Sequence, residues 1–282
     1  MMKNFTQLSM RYKLAAAFIV CIIAAAIFAP WLAPYDPVAV STEEILQPPS
    51  VEHWLGTDAL GRDILSRLIF GAGTSVAFAV AAACCTMFVG VAMGMLGGYY
   101  GGNTDKFIQV LVNLCQGLPG MSLMIVIAAV MPENDLRLVI AVTVTSWAGF
   151  SRIVRSEVIR ISHQQYIESA RSIGAGSFYI LRRHVFPNAV PVLIVLLNLK
   201  IGTSLLSASA LSYLGLGVSP PVADWGVMIS DARVYFRSYP LMILAPGICI
   251  TSFCMAINLV GDGLSEMLSL KRNSTEKSVI GG

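Results

Sequence analysis

The sequence predicts an all-α, polytopic membrane protein with six transmembrane helices, and three observations carry that expectation. The 282 residues are 56% hydrophobic and only 12% charged, with a mean hydropathy of +0.71, whereas an ordinary soluble domain is about 25% charged. The apolar residues gather into runs of the ~20 residues that a helix needs to cross a bilayer. The cations are spread unevenly over the segments between those runs, as they are in proteins oriented by the positive-inside rule. A water-soluble core, a disordered chain and a collagen are excluded by the same composition.

Apolar windows place the spans near Leu14 to Leu32, Thr74 to Leu96, Phe107 to Met131, Leu136 to Phe150, Val190 to Leu216 and Leu241 to Val260. The first follows Lys3, Arg11 and Lys13, and its Ala24-Ala25-Ala26 resembles the end of a cleavable signal peptide. Its apolar run continues through Ile27, Phe28 and Trp31, long enough to span, so we read it as a retained anchor. The third carries Gly117-Leu118-Pro119-Gly120 in its middle, where the helix bends or breaks. A kink there either lines a pathway or is structurally neutral. The fourth span is short. The chain divides into a tail at 1–13, a first helix and outer loop at 14–73, a transmembrane domain at 74–264 with a polar loop at 151–188, and a tail at 265–282.

With an even number of spans both termini share a side. If that side is the cytoplasm, inner segments hold Lys3, Arg11, Lys13, Lys106, Arg152, Arg155, Arg160, Arg171, Arg182, Arg183, Lys271, Arg272 and Lys277, thirteen cations against five outside: Arg62, Arg67, Arg137, Arg233 and Arg237. This bias puts both termini in the cytoplasm. Most acids fall in the outer loops, among them Asp36, Glu43, Glu44, Asp58, Asp63, Asp224 and Asp231. The cysteines, Cys21, Cys84, Cys85, Cys115, Cys249 and Cys254, all lie in apolar runs far from His53, His163 and His184. They read as small buried hydrophobes, and neither a metal site nor any other cofactor is expected.

The inner loop alternates basic and apolar residues from Ser151 to Arg160, as a helix lying on a membrane surface or a partner would. Gly174 can end one short helix and Pro187 can separate the loop from the next span. Within it, Glu168, Ser169, Ala170, Ile173, Gly174 and Ala175 resemble the cytoplasmic signature of the inner-membrane permeases of binding-protein-dependent ABC importers: Glu-Ala-Ala, three residues, then Gly. Ser169 replaces the first Ala. An ordinary amphipathic connector is the competing reading of that spacing.

Three further stretches resemble the branch of that family that imports dipeptides, oligopeptides and nickel: His53 to Leu68, including Gly56, Asp58, Gly61, Arg62 and Asp63; Ser212 to Gly226, including Asp224 and Trp225; and Asn258 to Leu264. The short first outer loop resembles the second permease of the branch's pair. The resemblance implies a type I ABC importer permease fold and a loop around Glu168 that inserts into a cleft of a cytoplasmic ATPase. It also implies four further partners besides the lipid bilayer: a second homologous permease, two ATP-binding subunits and a periplasmic or lipid-anchored substrate-binding protein. Nucleic acid has no place in such a scheme. By their chemistry alone, Gly56, Asp58, Gly61 and Asp63 make turns and caps, and Asp224 and Trp225 anchor a loop at the membrane interface. Contact with a substrate-binding protein is the alternative for both loops.

Two features inside the spans need a reason. Gly90, Gly94 and Gly98 recur every fourth residue, a stripe that lets another helix approach closely, whether of this chain or of a second one. Lys200 puts a cation near mid-bilayer, at a cost of ~2.5–3.5 kcal/mol on insertion scales. It faces a translocation path together with Pro119, or it pairs with a partner or with backbone carbonyls.

No Gly-x-x-x-x-Gly-Lys-Ser/Thr occurs, so no phosphate-cradling loop for ATP is expected in this chain and it is not read as an enzyme. Gly-x-Gly-Asp, Gly-x-Ser-Gly and His-Glu-x-x-His are missing as well. A stand-alone carrier or channel is the remaining rival. Peptides are the cargo that the resemblance implies first, with nickel, a metal chelate, glutathione or another small solute as alternatives.

Overall fold

The computed structural model describes the backbone of residues 9–134 and 136–280 and side chains through 268. Among these residues the regular structure is helical, and β-pairing is limited to an isolated bridge between Thr57 and Asp63. α1 (Met10–Ile27) and the one-turn α2 (Ala29–Leu32) lead into an ordered loop. Ile19, Ile22 and Ala26 of α1 pack into the largest apolar cluster of the bundle.

α3 (Ile64–Tyr100) starts well before the predicted Thr74. Asp63 caps it, with Oδ2 accepting the Ser66 N–H at 2.7 Å. The segment 64–73 contains Ser66, Arg67, Gly71 and Gly73, so apolarity alone misses its helicity. At ~1.5 Å per residue its 37 residues reach ~55 Å, nearly twice a ~30 Å hydrocarbon layer.

The third predicted span is two helices, α4 (Gly102–Gly117) and α5 (Gly120–Val130), whose axes turn by 89° at the break. Pro119 has no N–H to give, and the residue before a proline is driven to extended backbone, as Leu118 is at ψ 145°. Among the described residues, five helices are therefore long and apolar enough to cross a membrane, or six if the bent pair makes one crossing.

α6 (Leu136–Ser162) runs on past Phe150. The stretch expected to lie on a membrane surface or a partner is instead the end of this helix. It buries Val154, Val158 and Ile161 within the chain. The glycine stripe of α3 receives it: a Cβ on Gly90, Gly94 or Gly98 would stand 2.8, 2.7 and 2.8 Å from Phe150, Ser151 and Arg155. The stripe thus serves contact between two helices of one chain.

α7 (Gln165–Ser172), α8 (Ser177–Ile180), a π-helical turn at Leu181–Val185 and α9 (Phe186–Tyr213) follow. The helical path is continuous from Ser177, so Pro187 does not separate loop from span. It sits in the first turn of α9, where a proline's missing N–H costs least. α10 (Trp225–Ala232), a 3₁₀ turn at Arg233–Tyr235 and α11 (Leu241–Ile280) complete the chain, with α11 extending through the predicted end at 264.

Four apolar clusters hold the bundle, and α3 contributes to each: Leu68 and Ala72, then Val91 and Met95, then Phe78 and Ala82, then Met93. Of the cysteines only Cys254 is buried; Cys21, Cys84 and Cys85 lie on helix faces that this chain leaves uncovered.

Candidate functional site

At one end of the bundle the only fully buried side chain of α7 is Ile167, and a tight turn follows the helix. Ile167 is fully buried among Val158, Ile161, Ile180 and Val185, with Ala170 and Ala175 beside it. Gly174, at φ +83°, stops the helix in a Schellman arrangement. Its N–H donates to the Arg171 carbonyl at 2.9 Å, and the Ala175 N–H donates to the Ala170 carbonyl at 3.1 Å. The Ala and Gly of the signature are thus the third-last helical residue and the left-handed residue of one cap. A bulkier residue than Ala170 would crowd Ile167, and a non-glycine at 174 would strain the backbone.

The opposite face of α7 and the turn after it are bare. Glu168, Ser169 and Gly174 are exposed, and Ile173 is 86% exposed, Phe178 73% and Tyr179 56%. Arg171 stacks on Tyr99 at the end of α3, 5.3 Å from its ring centroid. Ile173, Phe178 and Tyr179 thus add exposed apolar side chains to a polar stretch that also exposes Glu168, Arg171, Arg182 and Arg183, and beneath it Ile167 reaches α3, α6 and α9 through one cluster.

At the other end the loop before α3 folds around charged side chains that are almost completely buried. Asp58 Oδ1 accepts the Leu60 and Arg62 N–H groups at 2.9 and 3.0 Å, and Oδ2 takes the Arg62 Nε–H at 2.7 Å. Arg67 adds a longer approach to Asp58 at 3.5 Å and donates to the Pro37 carbonyl at 3.2 Å. His53 Nδ1 lies 2.9 Å from Asp63 Oδ1. Gly56 and Gly61 take φ of +80° and +73° where the loop doubles back on itself.

Asp224 caps α10, accepting from the Gly226 and Val227 N–H groups at 2.9 and 3.0 Å and from Ser75 Oγ at 2.7 Å. Trp225 is 2% exposed and donates its indole N–H to the Leu68 carbonyl at 3.0 Å. It is a core residue rather than an interface anchor, since Gly71 leaves room for the ring against α3. The two stretches meet: Arg62 Nη2 stands 3.4 Å from Asp231 Oδ2 beside a cleft of about 300 Å³.

Pro119, Gly117 and Gly120 are exposed at the break between α4 and α5. Lys200 is half-buried in the middle of α9 and is not near that break in sequence or within any apolar cluster. The structure thus separates the predicted residues into two polar ends joined by α3 and two features within the bundle.

Residues that sequence reasoning passed over fasten the helices. Asp105, in the first turn of α4, takes both Arg155 Nε and Nη2 at 2.6 and 2.5 Å, pinning α4 to α6. Arg137 donates to the Gly217 carbonyl, and Asn198 donates to the Ile257 carbonyl at 2.5 Å. The partners lie 50, 80 and 59 residues apart, so no local spacing announces them.

Comparison with known proteins agrees with this arrangement. The family described as binding-protein-dependent transport system inner membrane component matches residues 88–273, and the N-terminal transmembrane domain of oligopeptide transport permease C matches residues 13–49. The chain is 37% identical to the glutathione transport system permease protein GsiD of Pectobacterium atrosepticum over 92% of its length and 87% of the relative's. It is 38% identical to the oligopeptide transport system permease protein OppC of Bacillus subtilis over 90% of its length and 83% of the relative's. An inward-facing structure of the MetNI methionine ABC transporter shares the fold, with a TM-score of 0.60 at 16% identity, over 72% of this chain and 97% of that one. Family, relatives and fold together establish that this chain is a multi-pass inner-membrane permease of the binding-protein-dependent ABC importers, in their peptide branch.

Proposed function

We propose that this chain forms half of the translocation path of an importer for short peptides, glutathione among them, and is driven by separate ATP-binding subunits. The relatives' names support the cargo class, since a tripeptide thiol and an oligopeptide share a backbone and terminal charges. A second homologous permease supplies the other half of the path, two ATPases lie beneath, and a substrate-binding protein delivers cargo from outside. Both termini and the loop carrying α7 lie in the cytoplasm, the side on which thirteen of nineteen cations fall.

The observation that carries this reading is the two-faced seating of α7. Its buried face is Ile167, in a cluster shared with α3, α6 and α9, while Glu168, Ser169 and the Ile173–Gly174 turn stand free to enter a cleft of an ATPase. A push on α7 moves the packed side chains beneath it, because close-packed interiors transmit displacement rather than absorb it. The signature loops at the opposite end brace α3 and α10. On this reading the helix break at Pro119 and the uncovered face of α9 with Lys200 line the path.

Reconstitution of both permeases, both ATPases and the receptor in vesicles tests the proposal. Trialanine or reduced glutathione, with receptor present, raises ATP hydrolysis and is taken up, and Ser169→Cys is modified by a membrane-impermeant maleimide only from the ATPase side. Modification from the receptor side, or flux through this chain without ATPase subunits, overturns it.

A further inference from the structure

Lys200 sits fourteen residues into a 28-residue apolar helix, and among the described residues no hydrogen bond or ion pair reaches its ammonium. α9 is buried on one side, where Ser204, Leu205, Ala208 and Leu211 face the rest of the bundle. The other side is left uncovered by this chain: Leu199, Thr203, Leu206 and Tyr213 are exposed. At about 100° per residue that uncovered side has two edges. Lys200, Thr203 and Ser207 make the central two turns of one edge, with Leu196 and Leu214 beyond them at either end, and Leu199, Leu206 and Tyr213 fall along the other.

Hydrocarbon does not solvate an ammonium, so an edge of Lys, Thr and Ser beside an edge of leucines marks the boundary between a hydrated surface and an apolar one. Thr203 Oγ1 donates to the Lys200 carbonyl at 3.0 Å, which fixes the hydroxyl against the helix and turns its acceptor side outward. A lysine ammonium is a compact point charge with three donors and no acceptor. Set on a hydrated edge without a counter-ion from its own chain, it attracts anions and repels cations.

We infer that Lys200 is a cargo-facing cation that biases the path toward peptides of net negative charge. This rests on the importer reading and adds a selectivity to it. Carboxylates on the moving peptide pair with Lys200 in passing, and cationic peptides meet an electrostatic barrier at the same level.

The test uses the full reconstituted importer carrying wild-type, Lys200→Met or Lys200→Arg chains, with uptake of reduced glutathione, which is anionic at neutral pH, compared with uptake of trilysine. Lys200→Met lowers glutathione uptake about tenfold, the loss of one charge-assisted contact, while trilysine uptake stays the same or rises. Lys200→Arg retains most glutathione uptake. Equal losses for both cargoes, unchanged glutathione uptake in Lys200→Met, or a Lys200→Arg loss as deep as that of Met assigns Lys200 to packing and overturns the inference. So does failure of Lys200→Met to copurify with the other subunits, which makes it an inter-subunit partner. A wild-type importer that carries trialanine but excludes glutathione refutes this selectivity alone, whereas one whose ATP hydrolysis responds to no peptide refutes the importer reading beneath it.

Discussion

Replacing Gly174 by alanine isolates what the left-handed turn contributes to coupling. The residue stands at φ +83°, and nothing lies within 4 Å of where a Cβ would be placed. The substitution therefore introduces no clash with a neighbour, and its whole effect is the backbone penalty for an L-residue in the left-handed region, ~1–2 kcal/mol. That is about a 5- to 30-fold shift between the turn as it stands and alternatives that release the Ala175-to-Ala170 hydrogen bond. Because Ile167 stays buried, the helix remains attached while the Ile173 knob loses its position. Receptor-stimulated ATP hydrolysis in proteoliposomes should fall at least fivefold, with basal hydrolysis and copurification of the permease pair retained. Asn tolerates the left-handed region better than Ala does, so Gly174→Asn should recover a measurable part of the stimulation. Equal behaviour of Ala and Asn, or full stimulation in both, would refute the argument that the turn's conformation is what the ATPase engages.

Other substitutions probe the packing that supports the two ends. Gly94→Val places a Cβ 2.7 Å from the Ser151 carbonyl and from Val154, so the complex should melt earlier by the ~1–3 kcal/mol typical of overpacking, read from thermal unfolding in detergent. Asp58→Asn takes the carboxylate from buried Arg67, leaves Arg62 only the longer approach of Asp231, and should cost ~3–5 kcal/mol, whereas Asp231→Asn, whose carboxylate is 45% exposed and 3.4 Å from Arg62, should cost under ~1 kcal/mol. Denaturation midpoints of the two variants compared side by side decide this. Trp225→Phe removes the indole donor from the Leu68 carbonyl and should lose ~1 kcal/mol on the same measurement, with little effect on ATP hydrolysis.

What could be read beforehand follows from which forces leave a local trace. Gly174 and Pro119 act through their own backbones, so a helix end and a bent or broken helix are legible one residue at a time. The apolar windows were visible because lipid imposes one requirement on every residue of a span. The ends of α3 and α6 were not visible, because outside the bilayer a helix persists through capping and helix-to-helix contact. Asp63 and the Val154, Val158 and Ile161 face carry those contacts without raising hydropathy. The glycine stripe disclosed a close approach but not its partner, since Gly94 has the same form whether Val154 comes from this chain or another. Trp225 illustrates the opposite error: a tryptophan beside a span suggests the membrane interface, yet the Leu68 carbonyl and the space left by Gly71 draw it inside.

The continuity of α3 offers signature residues so deeply buried a route by which to act on the proposed transport cycle. Asp63 and the Asp58 network brace its first turn, Ser75 ties it to the cap of α10, and Tyr99 meets Arg171 of α7 at its other end. Between these points a 37-residue helix takes part in all four apolar clusters. On the proposed coupling, its stiffness rather than the exposure of any one residue links the two surfaces. Ala81 is exposed near the middle of α3, so a proline there displaces no packed neighbour but removes one backbone donor and crowds the preceding turn, weakening the rod by ~3 kcal/mol or more. Ala81→Pro should assemble with its partners and hydrolyse ATP at the basal rate while losing most of the receptor's stimulation. Ala81→Ser, with its N–H intact, should keep it. If the proline variant responds to receptor as fully as the serine variant does, force passes between the ends through α6 and α9 instead, and α3 is a scaffold rather than a lever.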